Sequence, residues 1–214
     1  MKAGISVSYN GDHRKGDGQQ LDPVDHARML HATVTRYRRL LPDWPIFVCA
    51  CGFDGLTSYT REQDENEKRL LWETWQIARF VTIPENPGYS EGATWSIRQG
   101  IEAAYHSDCA FLVHTCEDTV PELWLPAKLI QELADYSVDY VGERWRENEL
   151  STQFFACRVR SFMGFNGKGD GSLVEAYMWT YIKANRLEHL IYPDRKYFHT
   201  HTPKDFFAAM EKAG

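Results

Sequence analysis

The sequence predicts an α/β fold with a central, mainly parallel sheet flanked by helices. Three observations lead there. Short β-branched runs alternate with stretches of helical period along the whole chain, as in a sheet built from successive strand–helix units. The run from Cys109 to Thr115 is apolar almost without a break, which suits a central strand covered on both faces. The length of 214 residues, with 43% hydrophobic and 25% charged side chains, suffices for one sizeable core and excludes wholesale disorder.

The elements follow in order. The first strand spans residues 3–9 and ends in a polar loop over residues 10–20. Asp22 caps a helix that has Pro23 at its first position and Asp25 in its first turn. Ala27, Leu30, Val34, Tyr37 and Leu41 recur at helical spacing. Arg36, Arg38 and Arg39 crowd the end where the helix dipole favours cations, and Pro42 stops it. Residues 45–51 form a buried second strand, residues 64–79 a helix burying Leu71, Trp75 and Ala78, and residues 80–83 a third strand.

A turn at Asn86-Pro87-Gly88 then opens a third helix, capped by Ser90. Its inner stripe is Ala93, Ile97, Gly100, Ile101 and Ala104; the glycine there predicts close approach of another element. After the central strand come a helix over residues 126–136 and strands over 138–142 and 153–160. A glycine-rich loop, 164–171, leads into a helix over 172–185. Residues 192–201 are extended or loop, and a last helix begins at Thr202-Pro203.

The net charge of −6 disfavours whole-surface adhesion to nucleic acid or anionic lipid. No stretch approaches the ~20 apolar residues of a membrane helix, and the start of the chain lacks a secretory pattern. The five cysteines, Cys49, Cys51, Cys109, Cys116 and Cys157, lie mostly inside apolar runs. They predict buried free thiols in a reducing, cytoplasmic compartment. Structural zinc is not expected, because Cys49 and Cys51 have no second pair.

The most informative feature is acidic. Glu117 and Asp118 follow the central strand directly, and open α/β sheets bind ligands beyond the carboxyl ends of their strands. Adjacent carboxylates there suit Mg²⁺ or Mn²⁺ bridging a diphosphate. The plainer alternative is that they cap the segment that follows.

The stretches NPGYSEGATWSIRQGIEAA and CAFLVHTCEDTVPE resemble the core of GT-A-fold glycosyltransferases, especially the large family-two-like group. In that group an Asn-x-Gly turn leads into a helix with a late glycine. A hydrophobic strand follows and ends in a DxD metal motif, often continued as Thr-Val-Pro. Here these are Asn86 and Gly88, Gly100, and Thr119-Val120-Pro121. One carboxylate of the motif is absent: Cys116 stands at the first position if Asp118 is the last, and Thr119 stands third in a Glu-Asp-Asp variant. Metal-dependent and metal-independent chemistry both stay open.

The resemblance implies a single GT-A-like, Rossmann-like domain over residues 1–214. Residues 1–119 would bind the nucleotide sugar and residues 120–214 would form the acceptor side. Ser8, Tyr9 and Asn10 occupy the place of the base and ribose loop. Asp54 is placed like the base-contacting acid, and Asn86, Gly88, Glu117 and Asp118 complete the donor site. Asp118 is the implied metal ligand. Glu175, with Asp170 in reserve, is the implied catalytic base of an inverting enzyme; by its letters Glu175 also fits a capping box with Ser172. A C-terminal histidine often completes the metal site in this fold. His199 and His201 alternate in an extended segment and so point the same way. Imidazole suits Mn²⁺ better than Mg²⁺. Arg195 and Lys196 stand nearby for the diphosphate.

The expected activity is hexosyl transfer from a nucleotide-diphosphate sugar, UDP-glucose by default, to an acceptor hydroxyl without a membrane anchor. The acceptor would be a glycan, a protein, a small molecule or a hydroxymethylated DNA base, bound near Trp145, Phe165 and the C-terminal segment. For DNA, Glu143-Arg144-Trp145-Arg146 with Arg158 and Arg160 would combine charge with a stacking ring. Two alternatives remain. A nucleotidyltransferase on a related scaffold would use the loop Asn10-Gly11-Asp12-His13-Arg14-Lys15-Gly16. A binding module that has lost its chemistry would explain the incomplete DxD.

Overall fold

A computed structural model describes residues 2–11, 22–52, 65–85, 87, 89–166, 173–193 and 197–213. Asp54, Asn86, Gly88, Asp170, Arg195 and Lys196 lie outside the described residues.

The chain runs β1 (Ala3–Asn10), α1 (Pro23–Leu40), β2 (Ile46–Cys51), α2 (Glu65–Trp75), β3 (Arg79–Ile83), α3 (Tyr89–His106) and β4 (Phe111–Cys116). It continues through β5 (Thr119–Pro121), α4 (Leu125–Asp135), β6 (Tyr140–Arg146), β7 (Glu149–Leu150) and β8 (Phe154–Arg158), which ends in a 3-10 turn (Val159–Phe162). Last come α5 (Val174–Ala184), β9 (His189–Tyr192), β10 (Tyr197–His199) and α6 (Pro203–Lys212).

The main sheet has the order β3-β2-β1-β4-β8-β6-β7, with β9 also paired to β6. β1 to β4 are mutually parallel, and β6 and β9 are parallel to each other. β8 is inserted antiparallel between β4 and β6. The sheet is therefore mixed α/β and mainly parallel. It joins strands from residues 1–119 to strands from residues 120–214.

Alternation along the strands divides the core into two layers. Ile46, Val48 and Ala50 of β2 share one layer with Leu30 and Val34 of α1, and the same layer continues through Leu129 and Leu133 of α4, which packs on β4, β8 and β6. Phe47 and Cys49 face the layer of α3 and α5, with Ile97, Ile101, Met178 and Ile182. Each such aliphatic side chain contributes about 2 kcal/mol by leaving water. The glycine in the stripe of α3 has the expected reason: a Cβ on Gly100 would stand 2.1 Å from Ser6 Oγ and 2.6 Å from Ser6 Cβ, so α3 rests directly on β1.

At the start of α1, Asp22 caps the helix by accepting from Asp25 N at 3.0 Å, and Pro23 stands in its first turn. Other boundaries differ from expectation. α3 begins at Tyr89, so Ser90 lies within its first turn; its carbonyl accepts from Thr94 Oγ1 at 2.9 Å. α2 stops at Trp75 because Arg79 already pairs with Phe47 in the sheet. β6 runs past Gly142 to Arg146 because β7 and β9 give it partners there. β8 ends at Arg158, where the chain turns into the 3-10 segment. All five cysteines are free; Cys116 is half-buried and the rest are buried. Among the described residues no helix is long and apolar enough to cross a membrane.

Candidate functional site

The site forms where β4 ends. Its next residues, Glu117 and Asp118, turn the chain into the three-residue strand β5. β5 is paired antiparallel with β10, and His199 stands opposite Thr119. The ladder is extended by Thr200 N, which donates to Asp118 O at 3.3 Å. This ribbon brings the far end of the chain onto the end of the central strand.

His199 and His201 flank Thr200 and face Asp118 together. His199 Nε2 is 3.2 Å from Asp118 Oδ1, and His201 Nδ1 is 2.6 Å from Asp118 Oδ2. The two rings meet edge to face, with centroids 4.8 Å apart. One ligand atom from each of the three residues lies within 4.8 Å of the others. Asp118 is 5% exposed. Burial opposes ionisation of its carboxyl, but the contacts and positive charge of the two imidazoles outweigh burial and hold it well below the usual carboxylate range. Asp118 Oδ1 nevertheless has no aligned hydrogen-bond donor among the described residues. A buried, ionised oxygen without a donor beside two imidazoles fits a divalent cation. The mixed nitrogen and oxygen donor set favours Mn²⁺ or another transition ion over Mg²⁺.

Glu117 is engaged elsewhere. Its Oε1 is 2.5 Å from His26 Nε2 on α1, and its carbonyl accepts from Thr33 Oγ1 at 2.9 Å. These contacts bolt the turn that carries Asp118 to α1. Nothing in the α1 pattern marked His26, because a histidine on a buried stripe reveals its partner only in the fold.

The end of β1 supplies the neighbouring wall. Ser8 is half-buried; its hydroxyl is 3.3 Å from His114 Nε2, and its carbonyl accepts from Glu117 N at 3.2 Å. His114 Nδ1 is 3.3 Å from Ser6 Oγ, and burial lowers its pKa to about 3. Tyr9 is 1% exposed and packs in the core beside the His26 ring, at 4.8 Å. Asn10, paired with Cys51, is half-buried at the strand's end.

On the other side, Glu175 lies in the first turn of α5 and accepts from Thr152 Oγ1 at 3.1 Å. The residue that caps α5 is Leu173, without a side-chain bond. Cys116 ends the central strand between these groups. Burial first, then the charges of Asp118, Glu117 and Glu175, push its thiol well above the usual range. Tyr197 braces the ribbon: its hydroxyl meets Ser151 Oγ and is 3.4 Å from Gln153 Oε1, and Gln153 O accepts from Cys116 N at 3.0 Å.

The residues expected to form a nucleic-acid groove are not brought together. Arg144 and Arg146 lie at the carboxyl end of β6, over Trp179 and beside Glu149. Arg158 pairs with Phe111 at the opposite end of the strands, where β4 begins, and contacts Asp139. Phe165 is buried among Phe162, Tyr177 and Tyr181.

No protein-family model matches the chain, and no curated protein matches it. Solved structures share its fold. A candidate nucleotide-diphospho-sugar transferase from Desulfovibrio desulfuricans G20 superposes with a TM-score of 0.59 at 18% identity, over 99% of this chain and 89% of that one. CMP:2-keto-3-deoxy-manno-octonic acid synthetase, complexed with CTP, gives 0.58 at 10% identity over 99% of both chains. 4-Diphosphocytidyl-2C-methyl-D-erythritol synthase gives 0.56 at 10% identity over 97% of both. The chain has the nucleotide-diphospho-sugar transferase fold. At these identities the likeness carries the fold alone.

Proposed function

We propose that the protein is a glycosyltransferase that takes a sugar from a nucleotide-diphosphate donor. The observation that carries this is the Asp118–His199–His201 cluster at the carboxyl end of the central strand, whose buried Oδ1 has no aligned hydrogen-bond donor among the described residues. Open α/β sheets bind nucleotides in that crevice. Residues 1–119 would hold the nucleotide, through Ser8, Asn10 and the loops bearing Asp54, Asn86 and Gly88. Residues 120–214 would hold the acceptor.

Asp118, His199 and His201 would hold a divalent cation, with Mn²⁺ favoured, which supplies positive charge for the departing diphosphate. In an inverting reaction Glu175 removes the acceptor hydroxyl proton. The acceptor oxygen then bonds to the anomeric carbon as the bond from that carbon to phosphate oxygen breaks. Glu175 keeps the proton and the nucleoside diphosphate leaves with the electron pair. Asp170 remains in reserve for that role.

Nucleotidyl transfer is the second reading. It is favoured by the whole-chain likeness to two enzymes whose names specify cytidylyl chemistry. There a sugar phosphate or sugar acid would attack a nucleoside triphosphate and release pyrophosphate.

Thermal shift with UDP-, GDP-, TDP- and CMP-sugars and with CTP and UTP, each with Mn²⁺, Mg²⁺, Zn²⁺ or EDTA, separates these readings. A ligand bound only by the native state raises the melting temperature. A metal-dependent shift with one nucleotide sugar is the expected result. A shift with a nucleoside triphosphate, accompanied by pyrophosphate release, transfers the assignment to nucleotidyl transfer. Binding without turnover of any acceptor leaves a binding module.

A further inference from the structure

The β5–β10 ribbon has a second face. His199 turns towards Asp118, whereas Phe198, between Tyr197 and His199, turns the other way and is 44% exposed. Val120, opposite Phe198 in the ladder, packs with Met29 of α1 and Phe206 of α6. Between this face, the turn before α4 and the outer side of α6 lies an open groove of about 1060 Å³. Its floor includes Ala209, and its sides carry Glu122, Trp124, Phe198, Asp205 and Lys212.

Trp124 is 48% exposed yet held in place. Its indole N–H donates to Glu122, and Lys128 Nζ stands 5.1 Å from its ring centroid. With its one polar atom already used, the indole has only apolar ring surface to offer. Phe198 adds a second ring on a strand whose other face is anchored at the metal cluster.

We propose that this groove binds a neutral oligosaccharide. A pyranose presents C–H faces that stack on aromatic rings and hydroxyls around its edge that need acceptors and donors. The groove supplies both: rings at Trp124 and Phe198, carboxylate acceptors at Glu122 and Asp205, and a donor at Lys212. Glu122 and Asp205 offset Lys212 and the Lys128 beside Trp124, so the groove offers no net positive charge to phosphorylated ligands such as nucleotides, nucleic acids and anionic lipids. An apolar helix would cover both carboxylates without satisfying them, which is costly. The site goes beyond the nucleotide-binding reading and does not rest on it.

Isothermal titration and saturation-transfer NMR on the full chain, without nucleotide or metal, test this with malto-, cello-, xylo-, manno- and chito-oligosaccharides. One class binds, Trp124→Ala weakens it at least about tenfold, and Ala209→Arg, which projects a long side chain into the groove from half-buried Ala209 of α6, abolishes it. Adding EDTA leaves this binding unchanged while removing any metal-dependent nucleotide shift, so each site can fail alone. The proposal is overturned if no oligosaccharide binds, or if binding survives both groove variants. It is also overturned if the wild type self-associates and Ala209→Arg makes it monomeric.

Discussion

His201 Nδ1 lies 2.6 Å from Asp118 Oδ2, a contact that closes the C-terminal segment onto the end of the central strand. Asp118→Ala removes the only carboxylate of the cluster. We expect the metal-dependent thermal shift to vanish and metal affinity, measured by titration calorimetry, to fall by more than about 100-fold, beyond the loss typical of an outer-sphere partner. Retained affinity would reject the cluster as a metal site.

Glu175→Gln keeps an oxygen that can accept from Thr152 but removes the proton acceptor. Turnover should drop about 10²- to 10⁴-fold while nucleotide-sugar binding stays intact. A drop in steady-state kcat below about tenfold would take the base role from Glu175.

Gly100→Ala sets a methyl group against Ser6. The higher helix propensity of alanine, worth about 1 kcal/mol, is outweighed by overpacking, and a net loss of about 1–3 kcal/mol is expected. Urea unfolding measures it, and adding Ser6→Gly should restore part of the loss. A neutral Gly100→Ala would mean that α3 does not rest on β1 this closely.

His114 gives the protein a pH dependence. Its pKa is lowered by burial to about 3, whereas an unfolded histidine titrates near 6.5. Between those values the unfolded chain binds a proton that the native chain does not. Stability therefore rises with pH across that window and levels off above it. One proton corresponds to about 1.4 kcal/mol per pH unit. Urea unfolding of the wild type and of His114→Gln between about pH 4.5 and 6 should show slopes differing by close to that amount. Equal slopes would mean that His114 is protonated in the native state.

Much of the fold was legible in residue patterns. β1, β2 and β4 are runs long enough to show as strands, α1 carries its own cap at Asp22, and the glycine of α3 marked its close contact with β1. β5, β7 and β10 were not legible, because two or three residues show no period and these strands exist only through their partners. The site was legible as separate pieces. Asp118 stood at a strand end, and His199 and His201 alternated. Glu117 was grouped with Asp118 at the donor site, and only the fold reveals that its contact with His26 ties it to α1.

The sequence by itself determined the longer strands and helices and the faces they bury, because those choices follow from local spacing. Only the tertiary structure decided that the short ribbon of β5 and β10 sets two histidines against Asp118, and that Arg158 lies far from Arg144. Such contacts join residues remote along the chain. They depend on how the layers pack, and no periodicity encodes that.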